Sequence, residues 1–128
     1  MTAVAAVTAV CEVVHVVSWR LNGASPMARG QQADTIVAAV EATRGQISGL
    51  VSLDVGRNLI EAADAWDVGA VMVFRSRADL DRYQSHPAHQ ALKSIVGPLR
   101  SARSQLDFER PASYPAFTQR PSAQQGQS

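Results

Sequence analysis

The chain lacks the residues that build disulfide frameworks and thiolate metal clusters, because Cys11 is its only cysteine. One cysteine excludes an intrachain disulfide and a metal cluster held by several thiolates. Valines lie close to Cys11 on both sides, at Val10 and Val13, so we expect a buried thiol that packs like a small apolar side chain. A redox-sensing role is disfavoured, since it needs an exposed thiol beside positive charge.

Excess charge of one sign and long apolar runs are also missing. Charged residues make up 18% of the 128 residues, and the formal net charge is +1. The basic residues are scattered rather than clustered, which argues against a nucleic-acid partner held through its phosphates. Residues 1–10 are rich in Ala and Val but too short for a membrane span, and no basic segment precedes them. We therefore predict a cytoplasmic protein with neither nucleic acid nor membrane as a partner.

The length predicts one domain with a real core, built from alternating strand and helix signals. Segments dense in β-branched residues or alternating in polarity predict strands over 11–21, 49–56, 67–74 and 102–110. Cap residues and prolines predict helices that begin at Ser25-Pro26 (to about residue 45), after Ser76, and at Pro87, where His86 breaks the preceding helix. We expect an N-terminal extension over 1–10, a domain over 11–110 and a disordered tail, rich in Pro, Ser and Gln, over 111–128.

The resulting order, β-α-β-β-α-β, predicts an α+β, ferredoxin-like fold with a four-stranded antiparallel sheet and helices on one face. The first strand carries Val13 and Val17 on one face and Val14 and Val16 on the other. The helix-free face of a monomer should be polar. A first strand that is apolar on both faces therefore predicts that a second copy of the chain covers it, as an isologous homodimer.

The segment from Tyr83 to His89 holds two of the three histidines and one of the two tyrosines. His89 falls at the third position of the helix opened by Pro87, where the positive end of the helix disfavours a charged imidazole. A neutral imidazole is a general base, although the residues alone favour a structural histidine bonded to a carbonyl. The Tyr83 hydroxyl could orient His89, donate to a ligand carbonyl, or be satisfied by main chain.

The other two histidines allow different interpretations. His15 shares a strand face with valines and points either at a pocket or at the dimer interface; alternation alone does not decide between them. His86 is predicted to be a cap or hinge before Pro87. A metal site of His86, His89 and a nearby aspartate is disfavoured, because the proline interrupts the helical spacing and no third ligand is evident. We predict no metal and no cofactor.

The chain resembles the dimeric α/β-barrel stress-responsive (Dabb) family over Val13 to Glu109. The most specific part is the Y-x-x-H-P-x-H form of Tyr83-Gln84-Ser85-His86-Pro87-Ala88-His89. Further matching segments are Val14-His15-Val16-Val17, Gly49-Leu50-Val51-Ser52-Leu53-Asp54-Val55-Gly56-Arg57-Asn58, Trp66-Asp67-Val68, Val71-Met72-Val73-Phe74 and Asp107-Phe108-Glu109.

The resemblance implies a dimeric α/β barrel, in which each sheet packs on that of its twin and a small pocket lies between sheet and helices. Some members of the family are non-enzymatic stress proteins. Others, such as olivetolic acid cyclase, are polyketide cyclases that close a poly-β-ketone by aldol condensation without metal or organic cofactor. In those cyclases the residues matching Tyr83 and His89 act in the reaction, and one matching His15 lines the pocket. A further pocket histidine of the cyclases is Val68 here.

We accordingly expect a cofactor-free enzyme of the cyclase or isomerase type, acting on a small β-carbonyl or polyketide-like molecule. His89, Tyr83 and His15 are the candidate catalytic residues. Candidate substrate-binding residues, for which plain packing is the alternative, are Trp19, Val68, Met72 and Phe74. A non-catalytic stress-responsive homodimer, or a carrier of a small hydrophobic molecule, remains an alternative. A cofactor-free oxygenase is a weaker one, because its site residues do not map onto this motif.

Overall fold

Residues 11–112 are described by the computed structural model and form one four-stranded sheet with three helices. The elements in chain order are β1 (Cys11–Leu21), α1 (Pro26–Glu41), β2 (Leu50–Arg57), β3 (Val68–Phe74), α2 (Arg77–Gln84), α3 (Pro87–Val96) and β4 (Arg100–Pro111). The strand order in the sheet is β2-β3-β1-β4, and every neighbouring pair is antiparallel. The predicted α+β, ferredoxin-like fold is confirmed.

Each helix begins at a side-chain cap that the sequence predicted. Ser25 and Ser76 accept the backbone N–H of the residue three positions on, at 3.0 and 3.1 Å. His86 caps α3 in a less common way, because its Nδ1 accepts the N–H of Ala88 at 2.9 Å. Such caps satisfy N–H groups that the first turn of a helix leaves without partners. The predicted structural role of His86 before Pro87 is thereby confirmed.

The core lies between the helices and one face of the sheet. β1 and β3 contribute Val13, Val17, Phe74 and other buried side chains, and α1 packs Ile36 and Val40 against them. Fully burying one such aliphatic or aromatic side chain contributes about 1.5–3 kcal/mol. This packing fixes the helices over β2, β3 and β1.

Some predicted boundaries shift. Helix α1 ends at Glu41 instead of about residue 45, because the chain turns there and passes through Gly45 with φ of 84°. Strand β4 begins at Arg100 and continues through Pro111, beyond the predicted domain end at residue 110. The predicted N-terminal extension, residues 1–10, and residues 113–128 of the predicted tail lie outside the described residues.

The expectation of a buried Cys11 is wrong, because this thiol is exposed. Cys11 is the first residue of β1 and pairs with Pro111 at the end of the sheet. The valine at position 13 is buried, but that burial does not extend to the strand end. The inference from neighbouring apolar residues therefore overestimated the burial of Cys11, which lies at the end of a strand.

Apolar side chains occupy the helix-free face of the sheet. Val16 pairs with Val71 on one side and Leu106 on the other, and Val14 pairs with Phe108. Of these, Leu106 is 60% exposed and Phe108 44%. Strand β4 thus turns its apolar residues away from the core of its own protomer. Exposed apolar patches of this kind mark interaction surfaces.

No helix within residues 11–112 is both long enough and apolar enough to cross a membrane. The cytoplasmic location stays a prediction.

Candidate active site

A cavity of about 410 Å³ lies between the sheet and the helices. This volume falls within the range of about 300–1,000 Å³ that small-molecule sites occupy. The floor is buried and mostly apolar, with Val17, Trp19, Met72, Leu92 and Val96 among its lining residues. The rim is exposed and polar, and its side chains are those of Gln84, Lys93, Arg100, Arg103 and Gln105.

The three candidate catalytic side chains, His15, Tyr83 and His89, line this one cavity. His15 projects from β1, Tyr83 lies near the end of α2, and His89 is in the first turn of α3. The chain interrupts its helical path between α2 and α3, at His86. The Tyr83 and His89 rings consequently lie 4.4 Å apart between centroids. The His15 ring lies 6.4 Å from that of Tyr83, edge to face. Both imidazole rings therefore lie close to the phenol ring.

His89 presents a free ring nitrogen. Its Nδ1 lies 3.1 Å from the backbone carbonyl oxygen of Gln84. A carbonyl oxygen only accepts hydrogen bonds, so Nδ1 carries the proton in the neutral ring and Nε2 carries the lone pair. Nε2 has no hydrogen-bond partner within residues 11–112. A neutral imidazole with a free Nε2 in a cavity is arranged as a general base.

Burial is the main reason why the pKa of His89 lies below its ordinary value. The positive charges of Lys93 and Arg103 and the neighbouring His15 lower this pKa further, while the bond to Gln84 opposes the shift. The direction is the one expected from the helix start, but desolvation is the larger cause. The shift favours the uncharged form of the His89 ring.

Tyr83 is 2% exposed, and within residues 11–112 its hydroxyl has no hydrogen-bond partner. Its ring packs on Phe74 at 5.3 Å between centroids. Burial raises the pKa of Tyr83 to about 12, although Arg103 acts in the opposite direction. The phenol thus keeps its proton. Because Tyr83 lines the cavity, its hydroxyl can donate a hydrogen bond to a ligand oxygen bound there.

His15 is paired with Asp107, a residue the sequence interpretation did not select. The β1–β4 register sets the two opposite each other, and His15 Nδ1 lies 2.5 Å from Asp107 Oδ1. Gln105 donates to the other carboxylate oxygen at 2.7 Å. Burial raises the pKa of Asp107, but the hydrogen bonds from Gln105 and His15, with the charge of Arg103, lower it overall. The ionised carboxylate fixes the orientation of the His15 ring.

Only two of the four candidate substrate-binding residues line the cavity. Trp19 and Met72 do so, whereas Val68 and Phe74 are buried in the core outside its lining. Phe74 instead supports the ring of Tyr83. Within residues 11–112, no group of three or more His, Cys, Asp or Glu side chains is arranged to hold a metal ion.

The polar rim was missed by the sequence interpretation, which assigned no role to Arg103 or Gln105. The available signal was the alternation of β4. Leu106 and Phe108 share one face, and the polar Arg103, Gln105 and Asp107 share the other. That pattern becomes informative only with the register, because β4 lies beside β1 and its polar face then borders the cavity.

A family model described as "Stress responsive A/B Barrel Domain" matches residues 13–110. Among solved structures, a dimeric protein of unknown function and ferredoxin-like fold from Bacteroides fragilis is 25% identical, with 77% of this chain and 96% of that chain covered and a TM-score of 0.68. A hydroxynitrile lyase from Passiflora edulis is 18% identical, covering 81% and 97%, with a TM-score of 0.65. SnoaB, a cofactor-independent oxygenase from Streptomyces nogalater, is 17% identical, covering 81% and 97%, with a TM-score of 0.60. A sequence search of curated proteins finds no match.

Proposed function

The chain belongs to the stress-responsive A/B barrel (Dabb) family, and from that premise we propose that it is a cofactor-free enzyme of the cyclase or isomerase type. Its substrate is a small β-carbonyl or polyketide-like molecule. One observation carries the proposal: the rings of His89, with Nε2 free, and of the buried Tyr83 lie 4.4 Å apart between centroids in a cavity of ligand size.

In the proposed reaction, His89 Nε2 removes a proton from the carbon between two carbonyl groups. The electron pair of the broken C–H bond moves onto a carbonyl oxygen, which accepts a hydrogen bond from the Tyr83 hydroxyl as negative charge develops. The enolate carbon then attacks a second carbonyl of the same molecule and forms a C–C bond. The protonated His89 returns its proton to the new alkoxide. His15, held by Asp107, positions the substrate.

Two proteins that share the fold are enzymes by their descriptions. They are described as a hydroxynitrile lyase and as a cofactor-independent oxygenase. Because their identity to this chain is low, they are evidence for the fold alone. The type of reaction is therefore argued from His89 and Tyr83. A carrier of a small hydrophobic molecule is the second candidate, and the apolar floor around Trp19, Met72 and Leu92 favours it.

We also propose that the protein works as a homodimer. The helix-free face exposes Val71, Leu106 and Phe108, which a second copy would bury. The relative from Bacteroides fragilis is described as dimeric. Pairing of two such sheets would create the barrel after which the family is named.

The test is incubation of the protein with linear tri- and tetra-β-ketone acids, with products followed by mass spectrometry. His89→Gln should slow turnover by about 10²–10⁴-fold, the usual contribution of a positioned general base. Glutamine keeps an N–H donor for the Gln84 carbonyl, so the fold should survive. The matched control is His86→Ser, which retains a capping side chain outside the cavity and should keep normal rates.

Tyr83→Phe separates catalysis from ligand binding in the same cavity. It keeps the ring packed on Phe74 and removes only the hydroxyl, so turnover should fall while the apolar cavity still binds. Normal rates in His89→Gln on a compound that the wild type converts would contradict the mechanism. Binding of these ketones without conversion by wild type would favour the carrier instead.

A further inference from the structure

Among residues 11–112, the charged side chains at the rim of the cavity are all positive. Its charged lining residues are Lys93, Arg100 and Arg103, and no carboxylate lies among the residues that line this cavity. The charge of the nearby Asp107 attracts that of Arg103, but Gln105 lies between the two side chains, so they form no direct ion pair. The cavity therefore presents cations whose charge is not neutralised from within its own lining.

These three cations also differ from most others on the protein. Within residues 11–112 none of them forms an ion pair, and Arg103 contacts only the neutral Oε1 of Gln105, at 2.8 Å. Carboxylate partners are found instead for Arg44, Arg57, Arg75, Arg77, Arg82 and Arg110. Arg20 and Arg29 donate only to backbone carbonyls. Three of the five basic side chains without a carboxylate partner within residues 11–112 therefore line this cavity.

The fold brings the side chains of Lys93, Arg100 and Arg103 to the same cavity. Arg103 pairs with Trp19 in the β1–β4 register, and Arg100 pairs with Leu21. Lys93 lies four residues after His89 on α3, so the two share a helix face. Arg103 is close enough to Tyr83 and His89 to act on the charge of both. The cations consequently ring the same space that holds the proposed base.

A chain of hydrogen bonds holds Arg103 in place. Its Nη1 donates to Gln105 Oε1, Gln105 Nε2 donates to Asp107 Oδ2, and Asp107 Oδ1 pairs with His15. These residues alternate along the cavity face of β4. A guanidinium oriented in this way keeps further N–H donors for a planar anion, which it can bind through two parallel hydrogen bonds.

We infer that the substrate is an anion, namely a carboxylic acid whose carboxylate binds Arg103 at the rim, with Lys93 and Arg100 adding positive charge. Its ketone-bearing chain enters the apolar floor, where His89 and Tyr83 lie. This inference rests on the proposed function, which it narrows from β-carbonyl compounds in general to β-keto acids.

The test compares the linear tri-β-ketone acid 3,5,7-trioxooctanoic acid, in which C2 can attack the C7 ketone to close a six-membered ring, with its methyl ester, which has the same ketones but no carboxylate charge. Binding is followed by quenching of Trp19, in a Trp66→Phe background that leaves Trp19 as the sole tryptophan. Measurements at pH 8 keep His89 uncharged. The acid should bind about tenfold more tightly than the ester, as expected for a charge-assisted hydrogen bond, and added salt should reduce this preference.

Arg103→Gln should abolish most of the preference by weakening the acid alone, and Arg103→Lys should restore part of it. The matched control is Arg77→Gln. Arg77 is the first residue of α2, forms an exposed ion pair with Asp81 and does not line the cavity. Equal binding of acid and ester, or equal weakening of both by Arg103→Gln, would overturn the inference and leave the proposed function standing. A preference for the acid without any conversion would support the inference and contradict the proposed function. No quenching by either compound would overturn both.

Discussion

Each side of the sheet in this protein holds a few side chains of a kind that burial would not ordinarily select there. On the helix side, His15, Tyr83 and His89 are polar and at most 9% exposed. On the helix-free side, Leu106 and Phe108 are apolar and largely exposed. Buried polar groups and exposed apolar patches are the informative exceptions on a protein surface or in its core. We propose that the first exception marks a chemical site and that the second marks a surface for another chain.

Strand β4 shows the contrast within a single element. Asp107 pairs with His15 on the cavity side, while its neighbours Leu106 and Phe108 face away from the helices. A one-residue shift in register would exchange these faces and destroy both features. The same backbone therefore serves the cavity on one side and the proposed dimer on the other.

The contrast can be broken first on the helix-free face. The double variant Leu106→Asp, Phe108→Asp should dissociate the proposed dimer, because burying unpaired charge costs several kcal/mol, on the order of a hundredfold or more in affinity. Light scattering coupled to size-exclusion chromatography measures the mass. The control is Ile95→Asp, an exposed apolar position on α3. A wild-type mass that is already monomeric, or a double variant that stays dimeric, would contradict the proposal.

On the cavity face we expect a smaller effect, a pH dependence of the free energy of unfolding that comes from His89. The pKa of His89 in the folded protein lies below its ordinary value of 6.5. As the pH falls from 7.5 to 5.5, the unfolded chain binds a proton at this histidine before the folded chain does, so the free energy of unfolding should decrease. The contribution is fully present above pH 6.5 and is lost toward lower pH. Urea unfolding of wild type and His89→Gln should show a weaker pH dependence in the variant. An identical dependence in both would show that His89 titrates normally.

Much of the fold was predictable, because its signals are local. The β-branched run of β1, the serine caps at Ser25 and Ser76, and the break at His86 each act within a few residues of chain. The apolar residues on both faces of β1 also predicted that something covers the helix-free face. Family resemblance then selected Tyr83, His89 and His15, which the structure places around one cavity.

What escaped prediction depends on contacts between distant segments. The pairing of His15 with Asp107 joins residues 92 positions apart and needs the β1–β4 register. The cationic rim needs the same register, together with the position of Lys93 on α3. Val68 and Phe74 alternate correctly on β3 but lie at its two ends, in the core outside the cavity lining, a difference of position along the strand that a period of two cannot show.

The state of the His89 ring is the most direct test of the central claim, and it requires no substrate. Long-range ¹⁵N–¹H NMR correlations report which ring nitrogen carries the proton, and a pH titration of the same signals gives the pKa. The structure predicts a proton on Nδ1, a free Nε2 and a pKa below 6.5. A proton on Nε2 in the neutral ring, or a pKa at or above 6.5, would contradict the assignment of His89 as the general base.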